Sequence, residues 1–164
     1  MSTIDAGHTA PDFSLKTAEG CEFSLDKLCE RGPVVAAFFK ISCPVCQFTF
    51  PFLERLHRQY AGDGVVILGV SQNDARDTRK FCKEYGVTFP VVLDDAGYPV
   101  SNAYGISNVP TVYLIDSARS VKVSCMGFGK QDLETIAGAL AERRKLPATP
   151  LFLPNEIIPA YKPG

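Results

Sequence analysis

The sequence predicts an α/β sandwich: a mixed β-sheet with flanking helices, entered through an N-terminal β-hairpin. Three observations carry this reading. The runs at residues 34–39 (Val-Val-Ala-Ala-Phe-Phe) and 65–70 (Val-Val-Ile-Leu-Gly-Val) are continuously apolar, as strands covered on both faces must be. Between and after them, apolar residues recur at helical spacing. Two later runs, 111–115 and 121–125, flank the turn Asp116-Ser117-Ala118-Arg119 and so predict an antiparallel closing pair.

Taken in order, a disordered lead precedes a hairpin in which 12–15 and 22–25 flank Ala18-Glu19-Gly20, and Ser24 caps a short helical turn through Leu28. The strand at 34–39 leads into a helix over 43–60, with Phe48, Phe52, Leu53, Leu56 and Tyr60 on its apolar stripe. Gly62-Asp63-Gly64 ends that helix before the strand at 65–70. A helix over 74–85 places Thr78, Phe81, Cys82 and Tyr85 on one face and stops at Gly86. A short strand at 91–93, a turn at 94–97 and a helical turn at 100–104 precede the closing pair. A last helix over 131–144 turns Leu133, Ile136, Ala137 and Leu140 inward. Residues 1–145 therefore read as one domain. Residues 146–164 hold five prolines but keep Leu151, Phe152, Leu153, Ile157 and Ile158, which predicts a tail wrapped on the domain rather than a free linker.

Bulk properties narrow the function. A chain of 164 residues can bury a sizeable core. Its net charge of -1 supplies no electrostatic footprint for nucleic acid or an anionic membrane. No apolar stretch approaches the roughly 20 residues that span a bilayer. The polar N-terminus lacks an apolar signal region, so the chain as written reads as cytoplasmic; a leader already removed would instead place it in the periplasm or another extracytoplasmic space.

Chemistry concentrates at Cys43-Pro44-Val45-Cys46, where the first buried strand gives way to the long helix. Thiols at this spacing lie within one helical turn, near enough to form and break a disulfide without backbone movement. Pro44 suits the first helical position, where its missing N–H costs nothing. Cys43 then sits at a helix N-terminus, whose free N–H groups and dipole favour an anion. An ordinary thiol is only a few per cent thiolate at neutral pH, and a helix terminus contributes about 0.3–1 kcal/mol to holding the anion, up to about 2 when partly buried. Cys21, Cys29, Cys82 and Cys125 are scattered singly and read as small core hydrophobes; a Cys21–Cys29 bridge is the alternative if the chain folds back there.

A C-x-x-C at a strand-to-helix junction resembles the thioredoxin redox motif. Two further features match. Pro51 falls five residues after Cys46, where the thioredoxin family has its helix-kinking proline, and Asn108-Val109-Pro110-Thr111 resembles the family's cis-proline loop. The longer connection from Cys43 to Pro110, with the N-terminal hairpin, is similar to TlpA/ResA-like disulfide reductases and the wider redoxin group, which includes the AhpC/TSA-related peroxiredoxins. The resemblance implies a thioredoxin-like three-layer sandwich and a thiol–disulfide oxidoreductase that needs no cofactor beyond its redox-active disulfide. It implies Cys43 as nucleophile and Cys46 as resolving thiol. It also implies Val109, Pro110, Thr111 and Pro44 as the surface that holds a partner peptide. Partners would be protein thiols or disulfides, or a thioredoxin-type electron donor, met by a monomer.

Three departures stand out. Ser42 replaces a common Trp, Pro44-Val45 replaces Gly-Pro, and Ala37 replaces thioredoxin's buried acid. TlpA/ResA-like proteins bring a carboxylate from the next strand-to-helix loop, here Ser71-Gln72-Asn73-Asp74. Asp74 is therefore the candidate acid, with a helix N-cap as its other reading.

Other chemistries fit less well. A zinc site needs about four ligands, and neither a second C-x-x-C nor a His pair accompanies this one; His8 and His57 stand alone, so no metal is expected. A peroxiredoxin-like thiol peroxidase places Thr and Pro ahead of its reactive Cys, whereas Phe39-Lys40-Ile41-Ser42 lacks both; an activating arginine such as Arg119 would have to come from elsewhere. A thioredoxin-like binding module without activity would have no need of both thiols.

Overall fold

The computed structural model describes residues 2–164. Ser14–Lys16 (β1) and Glu22–Ser24 (β2) form the antiparallel hairpin, stitched across by Ser14 Oγ donating to a Glu22 carboxylate oxygen at 2.7 Å. Ser24 then caps Leu25–Arg31 (α1). Every residue of Val34–Phe39 (β3) is buried. Pro44–Tyr60 (α2), Val66–Ser71 (β4), Ala75–Tyr85 (α3) and Val91–Leu93 (β5) follow. Helix α3 ends at Gly86, whose φ of 68° is the left-handed conformation that glycine adopts without cost. Pro99–Ala103 (α4), Thr111–Ile115 (β6), Val121–Met126 (β7), Phe128–Gly129 (β8), Lys130–Arg144 (α5) and Tyr161–Lys162 (β9) complete the chain.

The central sheet has the order β5-β4-β3-β6-β7. Strands β3, β4 and β5 run parallel, and β6 and β7 are antiparallel to their neighbours. Register pairs Phe39 with Ser71 and Phe38 with Thr111. The ends of β3 and β4 and the start of β6 thus lie at one end of the sheet, where Lys40, Gln72 and Val109 just beyond them line the site. Side-chain alternation splits the interior in two. Val35, Ala37 and Phe39 join Phe50, Leu53, Phe81, Ile136 and Leu140 of α2, α3 and α5 on one face. Val34, Ala36 and Phe38 meet Leu25, Tyr104 and Tyr113 on the other.

From residue 2 onward the lead expected to be disordered is ordered. Ile4 N–H donates to Tyr104 O at 3.1 Å, Gly7 N–H to Val121 O at 2.8 Å and Ala10 N–H to Arg119 O at 2.7 Å. Strand β7 is a sheet edge with unpaired backbone groups, and the lead satisfies some of them. The cysteine expectation also needs correction at one position. Cys29 and Cys125 are buried and Cys82 is half-buried, but Cys21 is exposed beside the hairpin turn, and all six thiols are free, Cys21 and Cys29 included.

Residues 146–164 lie along the domain. Leu151 and Phe152 are buried, and the Phe152 ring stands 4.9 Å from Phe52 and 6.0 Å from Phe128. Arg55 grips both carboxylate oxygens of Glu156, at 2.7 and 2.6 Å, and donates to Leu151 O at 3.0 Å. Beyond this root, β9 pairs antiparallel with β8. Neither short strand is legible as a periodic pattern in the sequence.

Candidate active site

Cys43 is the N-cap of α2. Its backbone is extended while its sulfur accepts the Cys46 N–H at 3.1 Å, so a thiol takes the place usually held by a hydroxyl or carboxylate. The sulfur also lies 3.4 Å from Val109 O, the acceptor for its S–H. Pro44 occupies the first turn as its chemistry favours. The loop before Cys43 is braced from two sides: Ile41 N–H donates to Asn73 Oδ1 and Gln47 Nε2 donates to Ile41 O, each at 2.9 Å. Pro51 lies inside α2, as the resemblance required.

The two sulfurs have different surroundings. Cys43 is 6% exposed and borders the groove, whereas Cys46 has no exposure. Burial, reinforced by its contact with Cys43, pushes the Cys46 thiol well above the ordinary thiol range. Both residues are buried, but the leading one lines the groove and the following one lies wholly behind it.

Opposite Cys43, the Val109–Pro110 peptide bond is cis. Thr111 Oγ1 donates to Asn108 O at 2.7 Å, and Gly127 N–H donates to Pro110 O at 2.7 Å, tying the loop to itself and to the β7–β8 connection. Between loop and helix runs a groove of about 430 Å³ with Cys43 and Pro44 on one side and Ile106, Asn108 and Val109 on the other. Lys40 and Gln72 also line it. Of the expected site residues, Cys43, Pro44 and Val109 line this groove, whereas Cys46, Pro110 and Thr111 are buried next to it in the chain and do not line it.

Asp74 is the exception: of its two readings, acid or helix cap, the geometry shows the cap. Its carboxylate caps α3 by accepting the Asp77 N–H at 2.9 Å, and the residue is exposed. In the groove this loop is represented by Gln72 instead. The loop turns its last residue into the following helix, and a carboxylate there is drawn to that helix's N–H groups. Ala37 is fully buried between Gly69 and Val112, so no acid occupies that place beneath the thiols. Arg119 lies at the turn after β6, the opposite end of that strand from Thr111, with its guanidinium near Asp12 and Asp26 at 4.0 and 3.8 Å. It is not in the groove. Among the described residues no group of three or more His, Cys, Asp or Glu side chains is placed to hold a metal ion, and no helix is long and apolar enough to cross a membrane.

Sequence reasoning missed four lining residues: Gln72, Ile106, Ser107 and Gly164. In the sequence Gln72 is only one member of the loop expected to deliver an acid. Gly164 sits beside Val109 and nothing local announces it, since its position depends on how the whole tail is laid down.

This combination of a dithiol at a helix N-terminus and a facing cis-proline loop defines a thioredoxin-fold redox protein. Comparison with known proteins agrees. Residues 6–124 match the AhpC/TSA family. The thiol-disulfide oxidoreductase ResA of Geobacillus thermodenitrificans is 35% identical over 135 residues, covering 81% of this chain and 76% of that protein. ResA of Halalkalibacterium halodurans is 37% identical over the same shares. A crystal structure from Chlorobium tepidum, provisionally assigned as thiol:disulfide interchange protein DsbE, superposes with a TM-score of 0.74 at 26% identity, covering 87% of this chain and 99% of the other. The chain belongs to the AhpC/TSA family, among its ResA-like thiol–disulfide oxidoreductases.

Proposed function

We propose that this thiol–disulfide oxidoreductase acts through a Cys43–Cys46 dithiol that exchanges with disulfides of partner molecules, Cys43 attacking first. The observation that carries the order of events is the asymmetry of the pair. Cys43 Sγ lies at the groove on the N-cap of α2, 3.1 Å from the Cys46 amide nitrogen, while Cys46 is buried behind it.

In the first step the Cys43 thiolate attacks one sulfur of the partner's disulfide. A Cys43–partner S–S bond forms as the partner's own S–S bond breaks, and the second partner sulfur leaves as a thiolate. That thiolate takes the Cys46 proton. Cys46 then attacks Cys43, the Cys43–Cys46 bond forms, the mixed disulfide breaks, and the partner's remaining sulfur departs. Two electrons have passed to the partner. Run in reverse from a dithiol donor of the thioredoxin type, the same steps restore the reduced pair, so no further cofactor enters. Holding Cys46 protonated until the mixed disulfide exists keeps it from competing for the partner in the first step.

Val109 serves as the docking edge, its backbone offering main-chain groups to an extended segment of the partner, while the buried Pro110 and Thr111 hold the loop in shape behind it. Pro44 forms the facing lip. Both sulfurs and the groove come from one chain, so the monomer is the working unit. Four cysteines outside the motif with free thiols, Cys21 among them exposed, suit a reducing compartment such as the cytoplasm.

Cys46→Ser tests the scheme. Incubated with oxidised insulin, it should accumulate a mixed disulfide through Cys43, seen by mass spectrometry under non-reducing conditions. If wild type reduces insulin but no such adduct forms, Cys43 is not the first nucleophile. If wild type reduces no disulfide at all, the exchange reading falls.

A further inference from the structure

The tail does not stop at the domain's flank. Strand β9 pairs with β8 in the register Phe128 with Lys162 and Gly129 with Tyr161, and Lys130 N–H donates to Ala160 O at 2.9 Å. That pairing carries the chain to Gly164, which lines the groove together with Cys43, Pro44 and Val109. A methyl group added at Gly164 would fall 2.2 Å from Val109 O and 3.4 Å from Pro110 N. Bare backbone is therefore packed against the peptide group that faces the reactive sulfur. A second glycine permits this approach from the domain side: Gly127 has φ +81°, and a Cβ there would lie 2.4 Å from Lys162 O. Lys162 Nζ sits 4.6 Å above the Phe48 ring, close to the first turn of α2.

The tail is held unevenly. Its root has two buried side chains, Leu151 and Phe152, and the bidentate Arg55–Glu156 pair. Its tip has a two-residue ladder and one cation–π contact, with Tyr161 57% exposed. A two-stranded ladder this short is marginal by itself. A firm root with a weakly held tip suits a segment that is displaced in use.

We infer that Tyr161–Gly164 is a specificity element of the exchange site. It takes the edge position at Val109 that an extended peptide needs, so a protein disulfide must displace it, whereas a low-molecular-weight disulfide reaches Cys43 past the exposed Ser42 and Pro44 with the tail in place. The inference rests on the exchange reading proposed above.

Lys162→Pro tests it in the 164-residue chain. Hydrogen bonds in an antiparallel pair alternate, so the bond at Lys130 and Ala160 places the next between Phe128 and Lys162; proline there removes the donor and releases the tip. Rates are measured with insulin and with hydroxyethyl disulfide, and amide exchange of residues 158–164 is followed by mass spectrometry. Expected are faster amide exchange in that segment and a severalfold rise in the insulin rate relative to the hydroxyethyl disulfide rate. Glu156→Lys, which makes the root contact repulsive, is the second variant and is read by the same ratio. A ratio that stays level or falls in both variants overturns the inference while leaving exchange intact. If wild type turns over neither disulfide, the exchange reading fails and takes the inference with it.

Discussion

The backbone N–H of Cys46 donates to the sulfur of Cys43 at 3.1 Å, so the helix that carries the second thiol caps itself with the first. Four N–H groups at a helix start need acceptors, and a sulfur bearing negative charge is a better acceptor than a thiol. Helix capping and the placement of the leading sulfur are thus one interaction at this position. The same relationship separates the two cysteines into a leader that lines the groove and a follower enclosed behind it.

Substitution should expose that division of labour. Cys43→Ser abolishes disulfide reduction, because a serine hydroxyl is not a thiolate at neutral pH, yet a serine still caps the helix and leaves stability within about 1 kcal/mol. Cys46→Ser keeps the first half-reaction and loses turnover. Comparing single-turnover adduct formation with steady-state insulin reduction separates the two variants.

Asp74 distinguishes a cap from an acid. Asp74→Ala should cost about 1 kcal/mol in urea unfolding, as loss of an N-cap does, and leave the exchange rate unchanged. Asp74→Asn, which still accepts the Asp77 N–H, should change neither. An exchange rate that drops in both variants would restore the carboxylate to the chemistry.

Acid should loosen the tail before the domain. The Arg55 hydrogen bonds, helped by the Leu153 N–H, hold the Glu156 carboxyl down to about 2. A carboxyl depressed in the folded state stabilises it above the unfolded value, near 4.3, and that contribution is lost as pH falls from there toward about 2. Amide exchange across residues 151–158 should therefore quicken over this window. In Glu156→Gln that pH dependence should be absent.

Phe152 reports whether the tail belongs to the core. Its ring packs between Phe52 and Phe128, so Phe152→Ala should lower unfolding free energy by about 3 kcal/mol, at the lower end for a buried phenylalanine. A loss below about 1 kcal/mol in chemical denaturation would mean that the domain is indifferent to the tail.

Glu54 is a buried carboxylate for which the sequence carries no signal. Burial raises its pKa, but the Thr88 hydroxyl and N–H and the Arg58 guanidinium outweigh that and hold the carboxyl below its ordinary value. Glu54→Ala should cost about 1–3 kcal/mol by stranding the Thr88 donors. Because the carboxyl is depressed in the folded state, the penalty relative to wild type should be largest above pH 5 and shrink on acidification.

Local chemistry made much of this protein legible in advance. Val34 to Phe39 could only be a strand covered on both faces, Gly86 could only end a helix, and Cys43-Pro44 could only open one, because periodicity, left-handed backbone and a missing N–H act over a few residues. The pairing of Cys43 with Cys46 follows from the same short range. What the tertiary structure alone decided are meetings between distant segments: Val109 against Cys43, Gln72 rather than Asp74 in the groove, the N-terminal lead along β7, and Gly164 against Val109. These depend on sheet order and on where buried side chains such as Phe152 anchor the chain, which are sums over the whole fold and leave no periodic trace at the residues concerned.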